Sequence, residues 1–261
     1  MSENYNPEQN DPGEMPNEEK QQEQTITYRV IEGKPIVTWI LIGITACFYL
    51  AQALSKWQTG SDLVMFYGAK ISPFIAYRHE YWRLITPVFL HASIMHILFN
   101  MYALFTIGPS LEHYYGHLDF LRLYLICGFT GNVFSHVFAP KTVSVGASTA
   151  LFGLIGAQAI FIYKNRRIMR NYRAALRNIA FVLVVNLMIG LSGGIDNWGH
   201  LGGLAGGTLL AWMCGPEIAL ILDRETQNPV MVNTVPRSRI EISCALVTAF
   251  FAAFAFALQG R

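Results

Sequence analysis

The chain has 261 residues, of which 52% are hydrophobic and 14% are charged, and its formal net charge is +2. Soluble globular domains carry a charged fraction of about 25%, so this composition excludes an ordinary soluble domain, and the small net charge gives no indication of a nucleic-acid partner. The apolar residues occur in blocks of about 20, the length that spans a bilayer, which predicts a polytopic helical membrane protein.

In chain order, the predicted elements begin with a polar segment. Residues 1–27 are rich in Glu, Gln, Asn and Pro, which predicts a disordered cytoplasmic tail. Seven apolar segments follow and predict an all-α bundle of seven transmembrane helices, at 36–55, 91–112, 118–138, 146–163, 177–193, 198–222 and 240–258. We expect three further divisions of the chain: a six-helix core at 28–222, a cytoplasmic linker at 223–239 and a seventh helix at 240–261.

The connection at residues 57–90, between the first two apolar segments, is long and rich in aromatic residues. Aromatic side chains favour the boundary between lipid and water, so we expect this connection to lie in the outer membrane interface. An ordinary exposed loop is the alternative.

The loop after the fourth apolar segment determines the predicted orientation, because basic residues favour the cytoplasmic side. This loop carries Lys164, Arg166, Arg167, Arg170, Arg173 and Arg177. We therefore expect an integral protein of the plasma membrane with a cytoplasmic N-terminus and an extracytoplasmic C-terminus. The fourth and sixth spans then run in the same direction.

Ser148 and His200 lie near the starts of the fourth and sixth apolar segments. Polar side chains inside a membrane are costly and tend to be functional. If the two helices are neighbours, the serine and the imidazole lie at similar depth and form a nucleophile and a base. The alternative is that Ser148 caps its helix and His200 binds a loop carbonyl.

Small residues support a close approach of these two helices. Glycine recurs every fourth residue in the sixth segment, and the fourth segment is also rich in small residues, a pattern that lets helix backbones approach each other. The residues concerned are Gly199, Gly203 and Gly207 in the sixth segment, and Ala147, Gly153, Gly156 and Ala157 in the fourth.

Further residues could support a dyad of Ser148 and His200. No carboxylate is available at the depth of His200, but Phe152 lies one turn after Ser148 and could pack against the imidazole. His96 and Asn100 share one face of the second span and could stabilise an oxyanion together with the Ser148 amide. Hydrogen bonding between helices is the structural alternative for this pair.

Other reaction classes lack their residues. A zinc protease would need a His-Glu-x-x-His motif, which the sequence does not contain. His113 and His117 are four residues apart, but a solvated surface position explains them better than a metal pair. No two spans carry facing aspartates, and we find no repeats of the kind that transporters contain. We expect neither a metal nor a cofactor.

Taken together, these motifs are similar to those of the rhomboid family of intramembrane serine proteases. The resemblance covers about residues 35–215 and rests on four blocks: Trp82-Arg83, His96-x-x-x-Asn100, Gly146-Ala147-Ser148 and Gly199-His200-x-x-Gly203-x-x-x-Gly207. It implies a six-helix catalytic core with one extra C-terminal span.

The resemblance also implies a role for each matched residue. Ser148 would be the nucleophile and His200 the base, while His96, Asn100 and the Ser148 amide would stabilise the oxyanion. Arg83, and Glu112 later in the second span, would be structural. The implied substrates are single-span membrane proteins in the lipid bilayer, cut near the outer interface.

One residue departs from the family pattern, which usually has glycine after the serine. Thr149 occupies that position here, and its β-branched side chain is expected to add bulk beside the nucleophile. The reacting groups are all retained, so an active enzyme is the favoured interpretation. A catalytically impaired relative that binds membrane clients is the alternative, and a small-molecule transporter is a more distant one.

Overall fold

The computed structural model describes residues 33–191, 194–222 and 229–258, so the predicted tail at 1–27 lies outside the described residues. Seven long helices form most of this structure: α1 (Ile36–Thr59), α4 (Ile94–Tyr115), α5 (His117–Phe138), α6 (Ser148–Lys164), α7 (Tyr172–Gly190), α8 (Asn197–Cys214) and α9 (Arg237–Leu258). The shorter elements are α2 (Leu63–Gly68), α3 (Ser72–Arg78), two 3₁₀ helices (Tyr81–Leu84 and Thr86–Phe89) and the strands β1 (Ile218–Leu222) and β2 (Pro229–Asn233).

Four helices, α1, α4, α7 and α9, are long and apolar enough to cross a membrane, and α6 is apolar but shorter. The predicted class, a mostly helical membrane protein, is therefore confirmed. The count of seven transmembrane helices stays a prediction, because α5 and α8 do not combine the same length and hydropathy within the described residues.

The structure corrects the end of the sixth apolar segment. Helix α8 ends at Cys214, whereas the predicted segment continues to residue 222. Gly215 is extended (φ −62°, ψ 148°), as expected for a residue before proline, and Pro216 has no N–H to continue a helix. Residues 218–222 instead form β1, which pairs antiparallel with β2. The predicted linker at 223–239 thus contains a strand and the start of α9.

Helices α5, α6 and α8 form the centre of the bundle, and α8 approaches both of its neighbours through glycines. A Cβ at Gly203 would collide with the carbonyl of Thr149, and one at Gly207 with the carbonyl of Gly153. On the other side of α8, Gly202 faces Phe134 of α5. The backbones are thus too close for side chains at these positions, as the small-residue spacing predicted. This approach places the first turns of α6 and α8 side by side.

The connection between α1 and α4 is held by a buried arginine. Arg83 is 1% exposed; its guanidinium donates to the carbonyls of Phe66 and Ala69 at 2.9 and 2.8 Å and pairs with Glu80 at 2.6 Å. The neighbouring Trp82 is half-exposed, and its Nε1 donates to the carbonyl of Tyr67 at 3.0 Å. These contacts fix the short helices of residues 63–89 against one another.

Candidate active site

The helix that starts at Ser148 and the helix that contains His200 bring these two side chains together. Asp196 caps α8, since its carboxylate accepts a hydrogen bond from the Gly199 amide at 2.9 Å. His200 lies one turn into this helix and is 6% exposed. Its Nε2 is 2.9 Å from Ser148 Oγ, the separation of a hydrogen-bonded pair.

An aromatic ring holds the imidazole of His200. The ring of Phe152 stacks on it at a centroid distance of 4.2 Å and an angle of 7°. His200 Nδ1 is buried and has no hydrogen-bond partner among the described residues. The second nitrogen is thus not held by a carboxylate, and the nearly parallel stack limits the tilt of the imidazole.

Gly146 precedes the serine in a conformation that favours glycine. Its φ is +126°, and a Cβ here would lie 2.6 Å from His96 Nε2. Its amide donates to the carbonyl of Pro87 at 2.9 Å. The absence of a side chain at residue 146 lets the imidazole of His96 lie directly against the backbone that leads to Ser148.

His96 and Asn100 both approach this backbone from α4. A Cβ at Gly146 would meet His96 first and Asn100 Nδ2 at 3.5 Å, so both side chains face the segment before Ser148. Asn100 Nδ2 also donates to His91 Nε2 at 3.0 Å. An amide nitrogen carries two hydrogens, so one remains for a second acceptor.

His91 is a site residue to which the sequence analysis assigned no role. Its Nε2 accepts from Asn100 Nδ2 and from the Ala147 amide, the latter at 3.4 Å, so the ring is neutral with its proton on Nδ1. Burial lowers the pKa of His91 to about 3, which agrees with a neutral ring.

His91 was missed because α4 begins later than predicted. The predicted segment began at residue 91, whereas the helix begins at Ile94 with Ser93 as its cap. His91 therefore precedes the helix instead of sharing its faces, and its ring meets that of His96 edge-on at 5.0 Å. A histidine just before a capping serine was the available signal in the sequence.

The side chain of Thr149 packs against glycines of the two neighbouring helices. The residue is buried. A Cβ added at Gly131 would lie 2.6 Å from the Cβ of Thr149, and one added at Gly199 would lie 3.0 Å from its Cγ2. Glycines on α5 and α8 therefore make room for this side chain. The expected extra bulk lies between α5, α6 and α8.

The remaining candidates lie outside the dyad. Glu112 is buried and accepts hydrogen bonds from the amides of Val37 and Thr38, the Thr38 hydroxyl and His117 Nδ1, at 2.5–2.8 Å. His117 is a half-exposed surface residue, as predicted, and it is also a partner of Glu112. Within the described ranges, no group of three or more His, Cys, Asp or Glu side chains could hold a metal ion.

A family model for the rhomboid domain matches residues 78–217, which is more than half of the chain and contains all four motif blocks. The chain belongs to the rhomboid family. Among similar curated proteins, the rhomboid-like protease 1 of Toxoplasma gondii is 36% identical over 221 residues, covering 83% of this rhomboid and 71% of the relative.

Two other relatives are longer than the region that they share with this rhomboid. The rhomboid protease GluP of Bacillus subtilis (strain 168) is 37% identical over 199 residues, which cover 75% of this chain and 38% of GluP. The RHOMBOID-like protein 1 of Arabidopsis thaliana is 41% identical over 146 residues, which cover 56% of this chain and 38% of the relative. This rhomboid matches only about two fifths of the length of those two proteins.

Proposed function

We propose that this rhomboid is an intramembrane serine endopeptidase that cuts transmembrane segments of other proteins near the outer membrane interface. The observation that carries the proposal is the 2.9 Å contact between Ser148 Oγ and His200 Nε2 inside a bundle of apolar helices. Relatives named as proteases support the same reaction class. The proposed chemistry uses groups of the protein alone.

The first step forms an acyl-enzyme. Neutral His200 Nε2 takes the proton of Ser148 Oγ while the oxygen attacks the scissile carbonyl carbon. The carbonyl π electrons move onto oxygen, giving a tetrahedral oxyanion. The intermediate then collapses, the C–N bond breaks, and the His200 imidazolium gives its proton to the leaving amine.

Donors near Ser148 are suited to stabilise the negative charge of the intermediate. Ser148 occupies the first position of α6, where helix N–H groups have no acceptor within the helix. His96 and the second N–H of Asn100 face the same stretch of backbone. Removing one donor of this kind costs about 10²-fold in turnover, so Asn100→Ala and His96→Ala should each lower kcat on that scale.

The second step releases the acyl group. A water molecule gives a proton to His200 and attacks the ester carbon, and the second tetrahedral intermediate expels Ser148 Oγ, which regains its proton from the imidazolium. This step needs water at the dyad. We propose that the dyad lies near the outer surface, where water can reach it, with a cytoplasmic N-terminus and an extracytoplasmic C-terminus in the plasma membrane.

Single-span proteins are the proposed substrates. The peptide groups of a helix are hydrogen-bonded internally, so a transmembrane segment has to unwind before Ser148 can attack its carbonyl. Unwinding costs least where water solvates the released groups. A cut near the outer interface is therefore favoured, in substrates with helix-weakening residues there.

The decisive experiment is cleavage of a single-span substrate by the purified protein in mild detergent. Ser148→Ala and His200→Ala should each abolish the fragments, and the double variant should be no worse, because the dyad acts as a unit. Ser110→Ala, on an exposed face of α4, is the matched control and should cleave normally. Fragments produced by Ser148→Ala would exclude this mechanism.

The same experiment tests the alternative of a catalytically impaired relative. That alternative expects the folded wild type to bind the substrate without cutting it and without reacting with a fluorophosphonate at Ser148. Our proposal expects covalent labelling of Ser148, which mass spectrometry of the digested protein would detect.

A further inference from the structure

Lys70 is a buried cation that the proposed mechanism does not use. It lies between α2 and α3, and the residue is 0% exposed. Its Nζ donates to three backbone carbonyls, those of Thr142 at 2.5 Å, Ala139 at 3.0 Å and Ser135 at 3.3 Å. Within the described part of the chain, Lys70 forms no ion pair.

The three carbonyls share a location at and just after the end of α5. Carbonyls at the C-terminal end of a helix carry partial negative charge, so a cation is favourable there. Those of Ser135 and Ala139 each accept one backbone amide as well, and Lys70 adds a second donor to each. An ammonium group has three N–H donors, which equals the number of carbonyls that Lys70 contacts. The buried charge is thus matched to one particular arrangement of residues 135–142.

The backbone of Lys70 holds the same segment a second time. Its amide donates to the carbonyl of Ser144 at 3.0 Å, and the Ser144 amide donates back at 3.2 Å. Two residues later, the Gly146 amide is bonded to Pro87, and the Ala147 amide to His91. Residues 144–147, which lead from α5 to Ser148, therefore lie against residues 70–91.

We propose that Lys70 is a positioning residue whose ammonium group fixes residues 139–147 and thereby the position of Ser148. This inference rests on the proposed function, since it concerns the reactivity of Ser148. It also gives Lys70 control over that reactivity, because the number of its donors depends on its protonation.

The expected pH dependence follows from the donor count. Burial lowers the pKa of Lys70 to about 8, while the carboxylate of Asp196 opposes this shift. His136 on α5 is a further titratable group that faces the lysine. Above this pKa the neutral amine keeps two N–H donors for three carbonyls, so one contact between Lys70 and the loop is lost. The carbonyls of Ser135 and Ala139 also accept from backbone amides, so the contact to Thr142 is the one whose loss frees the loop and leaves Ser148 less well placed. Reactivity should therefore fall as the pH rises through about 8.

Folding stability should not follow the same course. The pKa of Lys70 is lower in the folded protein than in the unfolded chain, so between these two values the unfolded chain binds more protons. The contribution of Lys70 to the free energy of unfolding therefore rises with pH in this range. A loss of Ser148 reactivity without a loss of melting temperature is a signature that a purely structural lysine would not give.

The test measures the rate of fluorophosphonate labelling of Ser148 from about pH 6 to about pH 10. The side chain in Lys70→Met has no N–H donors. Ser148 of this variant should react with the fluorophosphonate about tenfold more slowly than in wild type at neutral pH, and its labelling rate should not fall further in alkali. Lys70→Arg stays charged at every pH of the series. Its labelling rate should match wild type at neutral pH and should not fall in alkali. Lys141→Met, at an exposed lysine in the same loop, is the control and should behave as wild type.

A second measurement does not depend on Ser148. Lys141 is exposed, so cleavage after it by a lysine-specific protease reports how freely residues 139–147 move; Lys70→Met should be cut several-fold faster than wild type. Equal cutting and equal labelling in the two proteins would overturn the role of Lys70. Faster cutting with no labelling of any variant, wild type included, would instead refute the proposed function and leave the loop contact standing.

Discussion

At the scale of single residues, the orientation of His200 is the main feature of the site. In many serine hydrolases a carboxylate holds the second nitrogen of the base, whereas here Nδ1 has no partner among the described residues and Phe152 stacks on the ring. A flat contact restricts the tilt of the imidazole but not its rotation in the plane. The 2.9 Å bond to Ser148 Oγ supplies that remaining restraint.

Phe152→Ala should therefore reduce turnover without abolishing it. We expect kcat to fall about tenfold and KM to change little, because the imidazole loses its orientation while the reacting groups remain. Phe152→Tyr keeps the ring and should stay near wild type. Leu154→Ala removes a similarly buried side chain away from the dyad and controls for packing loss. Equal kcat in Phe152→Ala and wild type would mean that the stack does not orient His200.

The packing of Thr149 depends on residues of other helices, which the sequence around it does not indicate. Its side chain fills space left by glycines of α5 and α8, and it is 3% exposed. The usual glycine would leave this space empty.

Thr149→Gly should accordingly destabilise the protein. We expect a loss of about 2 kcal/mol, from the cavity and from the lower helix propensity of glycine. Thermal unfolding in mild detergent measures it. Thr106→Gly, at an exposed position of α4, reports the propensity cost alone and should melt higher than Thr149→Gly. If the two variants melt together, the side chain of Thr149 contributes nothing through packing.

At the scale of elements, the helices differ in how tightly they are held. Only 6% of the apolar window of α7 is buried in the protein, against 28% for α4. The three glycine-contacting helices α5, α6 and α8 hold the dyad instead. Helix α7 is thus the least buried of these helices, and its end is joined to the start of α8 by a hydrogen bond from Asn197 Nδ2 to the carbonyl of Leu187.

The carboxylate of Glu112 on α4 binds the first turn of α1, so Glu112 provides a test at this scale. Glu112→Gln replaces one acceptor oxygen by an N–H donor, which would face the amide of either Val37 or Thr38. Because hydrogen bonds to a buried charge contribute about 1.5–3 kcal/mol each, we expect a fall of several degrees in melting temperature.

The control for this helix contact is Glu241→Gln, at an exposed glutamate of α9 that pairs with Arg237. It should melt as wild type does. Near-normal cleavage by Glu112→Gln below its melting temperature would agree with a structural role, whereas a large fall in kcat in the folded variant would assign Glu112 to the chemistry.

At the scale of the whole molecule, orientation in the membrane decides which side the dyad faces. Basic residues such as those of 164–177 favour the cytoplasm, and the predicted seven spans would then place the C-terminus outside. A topology reporter inserted within 164–176 should read cytoplasmic, and one fused after residue 258 should read extracytoplasmic. The reverse pattern would place Ser148 near the cytoplasmic surface.

Much of the molecule could be predicted from the sequence because lipid imposes strong rules. A helix is the simplest element that satisfies its own backbone in a membrane, so apolar blocks of sufficient length gave helices near α1, α4, α5, α6 and α9. Glycine spacing likewise predicted the approach of α6 and α8. These features are local, and each depends on residues within a few turns of one another.

The tertiary structure decided what depends on distant contacts. His91 joins the site because the chain before α4 turns toward Ala147, and Lys70 reaches the end of α5 across about 65 positions of sequence. The direction of the Thr149 side chain depends on where two other helices lack a Cβ. The sequence by itself determined the class of protein and a candidate nucleophile and base, since local spacing and chemistry suffice for these. The supports around that pair required the fold, because spacing along a chain does not specify which distant backbone groups will meet.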